Sequence, residues 1–158
     1  MTMPYSRDEV ITGFTSLYKL LQRLYLPPDS IIYPPPGGWE WPASISFSPP
    51  KNPAVIDLMK RMPYLQRPIE WDSAHIYEKT EAVDYSTFLN AGPHDVDPDL
   101  LYTTLPSHVL MVGFTPGRNG HYIFVDTERG TFTICDFQVG PKWTDLSEVC
   151  VCPVMHRG

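Results

Sequence analysis

Between Val10 and Tyr25 the apolar residues fall at helical spacing. Val10, Ile11, Phe14, Leu17, Tyr18, Leu21, Leu24 and Tyr25 give one continuous apolar face. Ser6, with Glu9 three residues on, has the form of a capping box, each side chain satisfying the other's free backbone N–H. Pro27-Pro28 stops this helix, because proline lacks the N–H and its ring clashes with the preceding turn. Asn52-Pro53 then offers an N-cap with proline at the first helical position. Val55, Ile56, Met59 and Met62 form the expected buried face of a short second helix, and Pro63 ends it.

Beyond residue 105 the period changes from 3.6 to 2. His108 to Phe114, His121 to Thr127 and Thr131 to Phe137 are rich in Val, Ile, Phe, Tyr and Thr, which suits strands. Thr115 to Gly120 joins the first pair, and Glu128-Arg129-Gly130 makes a tight hairpin in the second. Glu148 to Val154 is a candidate fourth strand. The fold class expected is therefore α+β: N-terminal helices packed on an antiparallel β-meander over 105–154, within a single domain of 1–158. Residues 66–104 are less regular, with acidic loops broken by short apolar pieces such as His75-Ile76-Tyr77.

The connector over 27–50 holds Pro34-Pro35-Pro36-Gly37-Gly38-Trp39-Glu40-Trp41-Pro42. Its prolines hold an extended path, and Gly37-Gly38 permits a sharp reversal. The chain has 18 prolines, roughly twice the usual share. Either this is a rigid strap with Trp39 and Trp41 packed over the core, or the two tryptophans form an exposed recognition platform. Exposing both carries a hydration cost, which favours the strap.

A chain of 158 residues can bury a core without a metal or disulfide. With 42% hydrophobic and 19% charged residues it does not have a disordered composition. Twelve basic residues against 18 acidic ones give a net charge of -6, with no Lys/Arg cluster to act as a nucleic-acid footprint. No apolar run approaches the about 20 residues that span a bilayer. Glu70, Asp72, Glu78, Glu81, Asp84, Asp95, Asp97 and Asp99 lie in one stretch with Lys79 as the sole base. Such a stretch is a solvated loop surface or a docking face for a basic protein partner. The N-terminus lacks the basic and apolar regions of a secretory signal, and three cysteines do not make a disulfide framework. A cytoplasmic protein is expected. The edge strands of the meander offer a route to a homodimer.

Candidate chemistry is sparse. Cys135, Cys150, Cys152 and His156 contain the donors of a zinc site, but Cys-x-Cys is not the usual knuckle spacing, and buried thiols are common in cores. Asp95-x-Asp97-x-Asp99 begins like a calcium loop, then places Leu100 and Pro106 where glycine and glutamate are needed. No nucleophile elbow occurs, and His75, His94, His108, His121 and His156 are scattered. Gly113 to Gly120 joins strand to strand, whereas phosphate-cradling loops lead into a helix. Neither a metal nor a cofactor is expected.

The segment Gly120 to Phe137, with an alternating aromatic strand ending in Asp126, a glycine turn and a second strand, resembles the central hairpin of the SUKH superfamily. That superfamily includes fungal cell-wall regulators and bacterial toxin-immunity proteins. Leu26-Pro27-Pro28, Pro34 to Trp39 and Val55 to Pro63-Tyr64 also resemble a set of uncharacterised fungal proteins carrying a Pro-Pro-Pro-Gly-Gly-Trp segment. SUKH members usually carry a leucine-rich helix where the proline strap stands here. The resemblance implies a non-enzymatic protein-binding module with a variable, often acidic, contact surface. Trp39, Trp41, Glu70, Asp72, Glu78, Glu81 and Asp84 are then the candidate partner-binding residues. The alternative is a small-molecule-binding or catalytic domain with a pocket between helices, strap and sheet, lined by Tyr18, Trp39, Tyr64, His121 and Asp126. Asp126 discriminates between them: it either caps the hairpin turn or converges with His121 on an open cavity.

Overall fold

The structure is a computed structural model. It describes residues 4–42, 46–47, 50–66, 75–90, 95–96, 105–115, 117, 119–136 and 151–152. Helix α1 spans Arg7–Leu24. The Ser6 hydroxyl accepts from the Glu9 N–H at 3.4 Å, satisfying one of the free donors of the first turn. Asp8 and Glu9 at its start and Arg23 at its end oppose the helix dipole favourably. Val10, Phe14 and Tyr18 are the residues it buries.

Helix α2 spans Pro53–Arg61, and the Asn52 side chain accepts from the Val55 N–H at 2.9 Å. Val55, Leu58 and Met59 are fully buried. Ile56, expected on that face, is only half-buried, because Leu58 fills the core position in its place. The two helices are clamped by Arg7, whose guanidinium donates to Asp57 at 2.7 Å, while Arg61 donates to the other Asp57 oxygen at 2.9 Å.

Ten short strands complete the described fold: β1 (Ile31–Ile32), β2 (Ser46–Phe47), β3 (Tyr64–Leu65), β4 (His75–Tyr77), β5 (Thr80–Ala82), β6 (Asp95–Val96), β7 (Val109–Phe114), β8 (His121–Asp126), β9 (Thr131–Asp136) and β10 (Val151–Cys152). A 3-10 helix spans Tyr85–Asn90. The main sheet has six strands in the order β10-β9-β8-β7-β5-β4, antiparallel throughout. Thus α1 and α2 accompany an antiparallel sheet, and the class is α+β. Its centre is the expected meander, with Met111 opposite Phe124 and Ile123 opposite Ile134. Val151 lies opposite Thr133, so part of the expected fourth strand does join the sheet. Two smaller pairs stand apart, β1 with β3 antiparallel and β2 with β6 parallel.

Val109, Leu110, Met111 and Val112 are all at most 2% exposed, so β7 is buried on both faces at the middle of the core. The described edges of the sheet are β4 and β10. No described helix is long and apolar enough to cross a membrane.

Candidate functional site

The strap is fastened to the end of α2. A helix leaves its last carbonyls without intrahelical partners. Here the Trp39 backbone N–H donates to the Lys60 carbonyl at 2.7 Å, and the Trp39 indole N–H donates to the Met62 carbonyl at 2.9 Å. Tyr64 donates through its hydroxyl to the Met59 carbonyl at 2.5 Å. Gly38 makes the approach possible: its φ is +96°, and a Cβ there would stand 2.7 Å from the Lys60 oxygen. Trp39 packs on Tyr64 with ring centroids 6.1 Å apart, and Trp41 meets Phe47 edge-on at 5.7 Å with the Lys60 ammonium over its ring. Both tryptophans are half-buried against the core, as a strap requires.

The candidate acidic face is only partly a surface. Glu78 is exposed in the turn between β4 and β5. Glu81 is 4% exposed in β5 and so does not belong to a docking face. Asp84 is turned inward to the 3-10 helix, accepting from the Ser86 N–H at 2.9 Å and the Ser86 hydroxyl at 2.5 Å. Glu70 and Asp72 lie outside the described residues, as do Asp97, Asp99, His94, Cys150 and His156. Asp95 is in β6, and Cys152 is in β10 opposite Phe132. Cys135 is buried, and burial pushes its thiol up to about 11. Among the described residues no group of three or more His, Cys, Asp or Glu is placed to hold a metal.

The alternative lining set does not converge. Tyr18 and Tyr64 are 1% and 0% exposed, part of a filled aromatic core with Tyr85. Burial pushes both phenols upward, more favourable to neutral donors than to bases. His121 and Asp126 stand at the two ends of β8, an odd number of residues apart, and therefore face opposite sides of the sheet. The His121 ring rests edge-on against Tyr77 at 5.0 Å, and its backbone N–H donates to the Thr80 hydroxyl at 3.0 Å. Asp126 is occupied by the hairpin: one carboxylate oxygen accepts from the Glu128 and Arg129 N–H groups, each at 2.9 Å. Its other oxygen lies 3.8 Å from His108 and 3.9 Å from Arg129, too far for hydrogen bonds. This is an Asx cap of a turn.

An opening among the described residues lies elsewhere. A groove of about 340 Å³ runs between α1 and the sheet, walled by Val10, Gly13, Phe14 and Leu17 on the helix and by Ile76, Tyr77, Ile123, Phe132 and Ile134 opposite. Glu9 stands at its rim. Of the residues expected to line a pocket, none lies in it. The signal was present in α1, which carries Gly13, Leu17, Leu20 and Leu24 beside the core stripe of Val10, Phe14 and Tyr18.

No protein-family model, curated protein or solved structure matches this chain.

Proposed function

We propose that the chain is a non-enzymatic, cytoplasmic protein-interaction module of SUKH-like type, binding a basic protein partner through an acidic stretch of the sequence that includes Glu70, Asp72 and Glu78. The observation that carries this reading is the Asp126 carboxylate, held by two turn N–H groups and directed away from His121. That arrangement supports a structural role for the hairpin's most reactive-looking residue. The net charge of -6 and the exposure of Glu78 support an electrostatically steered encounter. The groove at α1 has the volume of a ligand pocket, but its walls lack the convergent polar groups that orient a substrate.

Native mass spectrometry of the protein isolated from its own cells tests this reading. Wild type should retain a protein partner at low salt and lose it as salt screens the contact. The triple variant Glu70→Lys, Asp72→Lys, Glu78→Lys should not retain it. A bound small molecule of defined mass, or a partner indifferent to the triple reversal, overturns the reading.

A further inference from the structure

The apolar face of helix α1 is wider than the part its own sheet covers. Phe14 and Tyr18 point into the core, with Phe14 packed on Phe132 at 5.8 Å. Gly13, Leu17, Leu20 and Leu24 occupy an adjoining arc about 60° wide, taking 3.6 residues per turn. Leu20 is 49% and Leu24 69% exposed, and Gly13 and Leu17 wall the groove, so the groove and the exposed leucines form one apolar strip. Their four-three-four spacing, preceded by Val10, is that of a heptad seam.

We infer that this strip is a self-association face, on which α1 of a second copy lies antiparallel. The charges beside the seam select that occupant. Glu9, Ser16 and Arg23 follow one another at intervals of seven and so line a single flank of the strip. With Ser16 opposite Ser16 of the partner subunit, Glu9 meets Arg23 of the partner subunit, and Arg23 meets Glu9 of the partner subunit. A parallel pairing sets this flank against the opposite flank of the partner helix, the side of Phe14 and Leu21, and leaves Glu9 and Arg23 without each other. The antiparallel arrangement is isologous and closes at two copies. Gly13 has nothing within 4 Å of a Cβ placed on it, which leaves room for a second helix to approach. The inference does not rest on the role proposed for Glu70, Asp72 and Glu78.

Sedimentation equilibrium over micromolar to millimolar protein decides it. The chain should form a dimer. Leu20→Glu with Leu24→Glu should leave only monomer with an unchanged circular dichroism spectrum, since both side chains are exposed. Glu9→Arg or Arg23→Glu alone should each weaken the dimer about tenfold, about 1.4 kcal/mol shared over the two symmetry-related pairs. The double variant Glu9→Arg, Arg23→Glu should restore it. A monomer at every concentration, a dimer indifferent to the leucine substitutions, or failure of the double reversal to restore pairing overturns the inference.

Discussion

The Trp39 indole donates to the Met62 carbonyl at 2.9 Å, so one side chain of the strap satisfies the capping carbonyl of α2. Replacing it with phenylalanine keeps a ring against Tyr64 but removes the donor. The expected loss is about 1–3 kcal/mol, the cost of leaving a carbonyl poorly satisfied. Urea unfolding should show a lower midpoint with an unchanged slope.

Gly38→Ala should be worse than its size suggests. The positive φ and the Lys60 oxygen 2.7 Å from the added carbon act together. A loss above about 1 kcal/mol is expected from backbone strain alone. An unchanged melting temperature would contradict the close approach.

Asp126 should behave as a turn cap. Asp126→Ala removes the acceptor of two N–H groups and should cost about 1–2 kcal/mol, while Asp126→Asn, which keeps an oxygen, should cost less. Thermal unfolding of the pair checks this ordering. Equal losses would mean that charge, not the acceptor, matters.

The Arg7 hydrogen bond, helped by Arg61, holds the Asp57 carboxyl below its usual range. A depressed acid stabilises the fold above its unfolded pKa of about 4 and loses that contribution as pH falls through the lower folded value. Asp57→Asn should therefore be less stable than wild type at neutral pH, and the gap should narrow below about pH 4. Denaturant midpoints from neutral to acid pH measure it. A gap constant with pH would remove the ion pair from the account.

Cys135 should resist modification. Burial lifts its thiol to about 11, so little thiolate exists at neutral pH, and the sulfur is shielded. In a Cys150→Ser, Cys152→Ser background, an aromatic disulfide reagent should label it only after denaturant is added. Labelling at the rate of a free thiol would show the core to be open.

Both helices were legible because their ends carry local chemistry: Ser6 with Glu9, and Asn52 before Pro53, act within one turn of themselves. The meander was legible to within a residue or two because alternation and turn glycines are also local. The β4–β5 hairpin was not. It turns through Lys79 at φ 46°, with none of the Asn-Gly or Asp-Gly steps that mark a hairpin in sequence. The burial of Glu81 followed it out of sight, since that glutamate reads as one more acid until β5 is paired with β7. The site fared similarly. In sequence Asp126 reads equally as a cap or as a pocket residue, and only the turn hydrogen bonds decide between them. The α1 groove depends on β4 and β9 meeting one helix, a convergence of distant segments that no local pattern records.

The order in which contacts can form follows from how far apart their residues lie. Strands β7, β8 and β9 pair with their sequence neighbours, so their contacts close short loops, whereas the Arg7–Asp57 clamp joins residues 50 apart. The meander can therefore form early, and the strap and helix clamp can only close over it. Trp39 then governs how long the native state lasts rather than how fast it is reached. In stopped-flow chevrons, Trp39→Phe should speed unfolding and leave refolding nearly unchanged, whereas Val125→Ala, inside the meander, should slow refolding. A strap variant that slowed refolding instead would place the proline segment in the nucleus and reverse the sequence of events.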